Sequence, residues 1–152
     1  MSALLTAPAT AEPPEAFVRR YGTVVATFDH RTQDSGNVSW LVETRGGALF
    51  VKTAGVPGPA PPGAPAPHLD HAGRVALLRN AAALARSCDH PALARLLNVV
   101  ESPLGPVLVY AKAPGELVGT DRARRADPRS AYQRFARLPA ARLLGVFDAL
   151  ID

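Results

Sequence analysis

The chain's 152 residues suit one domain, and its single cysteine, Cys88, excludes an internal disulfide and any multi-cysteine metal site. The formal charge of +4 at pH 7 comes with a strong Arg, Ala and Pro bias, which weakens it as a sign of a nucleic-acid partner. No apolar run reaches the length of a membrane span and no secretory leader is visible, so a cytoplasmic location without membrane attachment is expected.

Residues 1–20, mostly Ala, Pro and Thr up to position 16, read as a mobile N-terminal segment or loose cover. Alternation predicts a strand over 21–30, with Val24, Ala26 and Phe28 on one face. A polar loop, 31–36, leads into a hairpin over 35–52, whose apolar runs flank Thr44-Arg45-Gly46-Gly47. Period-2 alternation puts Val38, Trp40 and Val42 on one face of its first strand. On the second strand Lys52 shares its side with Ala48 and Phe50. Lys52 and Lys112 are the only lysines beside fifteen arginines. A Lys closing an apolar strand is a compact charge of the kind that holds phosphate. The Pro/Gly-rich loop 55–67 admits neither helix nor ladder.

Asp70 can cap a helix that runs to about residue 87. Leu77, Leu78, Ala81, Leu84, Ala85 and Cys88 form its apolar stripe, with Cys88 a packed thiol and Arg74, Arg79 and Arg86 mostly off it. Asp89-His90-Pro91 breaks the helix, and His90 reads as a structural residue. Strands over 96–101 and 107–110 form a second hairpin, followed by an extended connector over 111–115. The basic run Arg122, Arg124, Arg125, Arg129, Arg134 and Arg137 reads as solvated. Helices are predicted over 128–137 and 139–152. The stripe of Leu143, Leu144, Phe147, Leu150 and Ile151 is still running at the last residue, so a truncated piece of a larger protein is expected.

In this order the elements over 21–152 resemble the small lobe of a protein kinase-like domain, with the start of its large lobe. Gly36-Asn37-Val38 is similar to the end of a glycine-rich loop, and Phe50-Val51-Lys52 to the Ala-x-Lys of the third strand. Tyr110 is similar to the gatekeeper, and residues 111–113 to the hinge that continues through Pro114-Gly115-Glu116-Leu117. The resemblance implies an α+β fold with about five antiparallel strands, one C-helix-like helix (21–113), and the first large-lobe helices (114–152). It implies ATP as ligand, with Gly36 and Val38 covering it, Phe50 facing the adenine and Ala111 and Ala113 holding it. Lys52, the one catalytic residue it carries over, orients the phosphates. Four departures stand beside it, the first being that Phe50 replaces the small residue that normally faces the adenine. Arg31 and Gln33 occupy glycine positions, and no carboxylate lies between Gly73 and Arg86 to pair with Lys52. The catalytic loop and the metal-binding Asp fall past residue 152, so Mg²⁺ belongs only to a complete enzyme and this chain alone is not expected to be active. The implied function is that of the N-terminal part of an ATP-dependent serine/threonine kinase-like protein. A noncatalytic pseudokinase-type interaction module and a small-molecule phosphotransferase are the other two readings. The expected partners are a nucleotide, and a large lobe or another protein against 139–152.

Overall fold

A computed structural model describes residues 2–30, 35–64, 66–115, 118 and 125–151. Arg31, Gln33, Glu116, Leu117, Arg122 and Arg124, and the side chains of Leu150 and Ile151, lie outside the described residues. The chain is α+β and divides into two compact units, Met1–Ala113 and Pro114–Asp152.

The first unit is built on a five-stranded antiparallel sheet of β1 (Thr23–Phe28), β2 (Val38–Thr44), β3 (Gly47–Thr53), β4 (Leu96–Ser102) and β5 (Gly105–Ala111). Their spatial order is β1-β2-β3-β5-β4. Both hairpins turn where the sequence has Gly after a small hydroxyl residue. Thr44 pairs with Gly47, and Thr44 Oγ1 accepts from the Gly46 N–H at 3.1 Å while donating to the Gly47 carbonyl at 2.8 Å. In the second turn Ser102 Oγ donates to the Gly105 carbonyl at 2.6 Å and accepts from Leu104 N–H at 3.2 Å. Gly105 has φ +94°, and a Cβ there would stand 2.7 Å from a methyl of Val75, so only glycine suits this turn.

One sheet face carries Trp40, Val42, Leu49, Val51, Val100, Val107 and Val109, all buried. Its cover is the N-terminal segment, which the sequence suggested would be loose. Instead α1 (Ala3–Thr6) and α2 (Pro14–Tyr21) bury Leu4, Phe17 and Val18 against this face. Ser2 caps α1, and Pro14 sits in the first turn of α2. Asn98 Nδ2 donates to the Leu4 and Ala7 carbonyls, at 3.1 and 3.0 Å. Backbone bonds from Thr10 N–H to the Glu101 carbonyl and from Glu101 N–H to the Pro8 carbonyl tie the segment to β4. Ala- and Pro-rich composition hides this role, because three apolar side chains suffice once a nonlocal apolar face is present.

The other face is covered by α3 (His71–Ser87). Asp70 caps it as expected, accepting from Gly73 N–H at 2.7 Å. The expected stripe, however, is rotated. Leu78 and Ala82 are buried against Ala54 and Leu108, while Leu84 is 57% exposed, and Leu77 and Cys88 are also exposed. Arg74, placed off the stripe by the sequence, is 3% exposed. The buried line therefore runs Arg74, Leu78, Ala82, each one helical turn apart. The helix stops before His90, whose Nδ1 accepts from Ala92 N–H at 3.1 Å, in keeping with a structural role.

In the second unit, α4 (Ala131–Ala136) starts at Ser130, whose hydroxyl accepts from Gln133 N–H at 3.2 Å. The following helix, α5 (Ala140–Ile151), has Leu144, Val146 and Phe147 exposed. No helix among the described residues is long and apolar enough to cross a membrane.

Candidate functional site

The site lies on the α3 side of the sheet. Strand register decides who shares it. Phe50 stands between Leu41 and Tyr110, and Lys52 between Ser39 and Leu108. Phe28 lies opposite Ser39, and its ring meets that of Phe50 at 5.7 Å between centroids. Phe50, Lys52 and Tyr110 open onto a cavity of about 310 Å³. Ala81, Leu84 and Ala85 of α3 and Leu93 and Ala94 of the following connection complete its lining. The volume lies at the small end of the ligand-pocket range, which starts at roughly 300 Å³.

The chemistry available there is simple. Lys52 supplies one partly buried ammonium, and among the described residues no carboxylate forms an ion pair with it. Ala81, Leu84 and Ala85 are the α3 residues that share its cavity, and none of them carries a carboxylate. Desolvation pushes the Tyr110 phenol above its ordinary pKa, so it stays protonated at neutral pH and can donate. The remaining lining is apolar. No group of three His, Cys, Asp or Glu side chains that could hold a metal exists among the described residues.

The other expected site residues are not gathered there. Val38 points to the opposite face, packing against the cluster of Trp40 and Val42, so it cannot cover a base held beside Phe50 and Lys52. The residues of β2 on the Lys52 side are Ser39, Leu41 and Glu43. Gly36 has φ +80°, but a Cβ there would stand 2.4 Å from His68 Nε2. The imidazole of His68 thus fills the approach that a phosphate-covering glycine would keep open. At the position expected for a hinge, Ala111 N–H donates to the Arg95 carbonyl at 3.0 Å, so that donor is engaged. Ala113 is exposed beyond the end of β5.

Two side chains depart from their expected roles. Cys88 is exposed at the edge of a second cavity, about 390 Å³, shared with Asp89, His90 and Arg95. Arg74 donates to three backbone carbonyls, those of Ala54, Leu69 and Val56, at 2.7, 2.6 and 2.8 Å. Its i, i+4, i+8 relation to Leu78 and Ala82 is the sequence signal that could have shown it facing inward. In the basic run, Arg125 lies over the Tyr132 ring, 5.5 Å from its centroid.

No family model, curated protein or solved structure matches the chain.

Proposed function

We propose that residues 21–113 are a nucleotide-binding small lobe of the protein kinase-like type, serving ATP-dependent serine/threonine phosphoryl transfer in a complete enzyme. One observation carries the reading. An antiparallel sheet ordered β1-β2-β3-β5-β4, with α3 between β3 and β4, turns the one lysine of its central strand toward that helix. The donor set fits ATP unevenly. Lys52 would hold the α- and β-phosphates, its charge uncancelled by any α3 carboxylate. Phe50 and Tyr110 would bound the adenine end, with backbone groups of Ala111 and Ala113 beyond them. Gly36 and Val38 do not fit the role of a covering loop. Bound Mg²⁺-ATP would supply the transferable phosphoryl group, and this chain's residues would bind and orient it.

The missing α3 carboxylate and the filled approach to Gly36 also favour a second reading, a noncatalytic lobe that binds a protein partner. Titration of ATP and adenosine against the wild type and Lys52→Ala separates the two. The first reading expects weak ATP binding that falls in the mutant by the lower part of the roughly 1.5–3 kcal/mol of a charge-assisted contact, with adenosine unchanged. Absence of binding by both ligands at millimolar concentration would overturn it in favour of the second.

A further inference from the structure

Arg74 is a buried cation whose side chain donates to three backbone carbonyls. Its Nε donates to Ala54, its Nη2 to Val56 and its Nη1 to Leu69. Ala54 and Val56 belong to the stretch directly after β3, with Ala54 two residues beyond Lys52. Leu69 lies just before α3. One guanidinium therefore joins the end of β3, the start of the Pro/Gly-rich loop and the entry to α3. Its planar fork has the five donors for this, which a lysine lacks. Leu78 and Ala82, one and two turns on, pack against Ala54 and Leu108. Burial lowers the guanidinium pKa and Asp70 opposes the shift, as for a charge held by dipoles with a carboxylate nearby.

Arg79 of α3 forks onto the Glu101 carboxylate of β4 at 3.0 Å, which fixes the helix to the far edge strand but not to β3. His71–Ser87 contains no Asp or Glu, so no ion pair can link α3 to Lys52. Yet Ala81 and Lys52 line the same cavity, so helix and strand face each other across it. We propose that Arg74 is the positioning residue that sets α3 against β3, in place of an ion pair from α3 to Lys52. Lys52 is thereby left unneutralised for a phosphate; this second clause rests on the nucleotide reading, whereas the tie itself does not.

The test pairs removal of the tie with its replacement. Amide hydrogen exchange is followed in the wild type, Arg74→Met, Ala81→Glu and the double variant, with ATP titrated into each. In Arg74→Met, exchange over 72–80 should accelerate by about tenfold or more relative to amides of β2 and β3, as expected when hydrogen bonds that hold one segment are lost. Ala81→Glu adds a carboxylate to the cavity that Lys52 lines. In the double variant it should restore helix protection by more than Ala81→Glu adds to the wild type, a non-additivity that a merely space-filling arginine would not give. Ala81→Glu alone should weaken ATP binding severalfold, because the new carboxylate competes with phosphate. Arg74→Lys keeps the charge but not the fork, and should behave like Arg74→Met; it serves in its place if that variant fails to fold. Exchange of α3 that stays in step with the sheet, or a double variant that is not rescued, would overturn the tie. Loss of ATP binding from the wild type itself would defeat the nucleotide reading and leave the exchange result to decide the role of Arg74.

Discussion

The two faces of the sheet differ in kind although the same strands make both. Under α1 and α2 the buried cluster from Leu4 to Val109 is apolar, and the buried Thr53 hydroxyl beside it donates to the Val38 carbonyl. Under α3, the buried apolar set is small, and it shares the face with Lys52, Tyr110 and the guanidinium of Arg74. Period-2 alternation in β3 divides the labour, with Leu49 and Val51 on one side and Phe50 and Lys52 on the other. The apolar face supplies the packing energy. The polar one is left with a cavity, two cations and a phenol donor. Stability and chemistry therefore occupy opposite sides of one sheet.

This division can be broken by substitution. The largest effect belongs to the apolar face. Trp40→Ala should cost about 3–5 kcal/mol and Leu4→Ala about 2–5 kcal/mol in urea denaturation. A neutral Leu4→Ala would mean that the N-terminal cover contributes nothing and that the apolar face is half open. On the α3 side, Leu78→Ala should cost about 2–3 kcal/mol, because its side chain lies between Ala54 and Leu108. Leu84→Ala should stay within about 0.5 kcal/mol, since its side chain is mostly in solvent. Equal costs for these two leucines would contradict the rotated buried line.

The smallest effect concerns pH. Burial raises the Tyr110 pKa, so the folded state holds that proton more tightly than the unfolded state does. The resulting stabilisation is present below the unfolded value of about 10 and is lost as pH rises through the folded value. Tyr110→Phe should flatten that part of the alkaline unfolding curve and leave stability at pH 7 nearly unchanged. An identical alkaline curve for both proteins would remove the phenol from the account.

Local signals in the sequence carried the hairpins and the start of α3. The Gly-containing turns at 44–47 and 102–105 and the Asp70 cap act within a few residues, so they are legible without knowledge of the fold. The face that α3 buries is a different matter. Two stripes overlap at Leu78, and leucine counting favours the wrong one. What selects the other is Arg74, whose acceptors lie up to twenty residues away in sequence. The N-terminal cover was hidden because its value depends on the sheet face it meets. Val38 is an instructive case, since its placement was within reach. A two-residue turn pairs Thr44 with Gly47, and counting out from it sets Lys52 opposite Ser39, with Val38 on the far side. The kinase-like pattern aligned by residue type, whereas strand phase is fixed by register.

The central claim, that a nucleotide binds on the Lys52 face alone, is tested most directly by methyl NMR. ATP is titrated into protein labelled at Ala, Leu and Val methyls. Shifts should appear at Leu41, Ala81, Leu84 and Ala85, which share the Lys52 face or its cavity. Val42, Leu49, Val51 and Val107, buried on the opposite side, should stay still. Shifts confined to the second group, or no shift in either at millimolar ATP, would contradict the account.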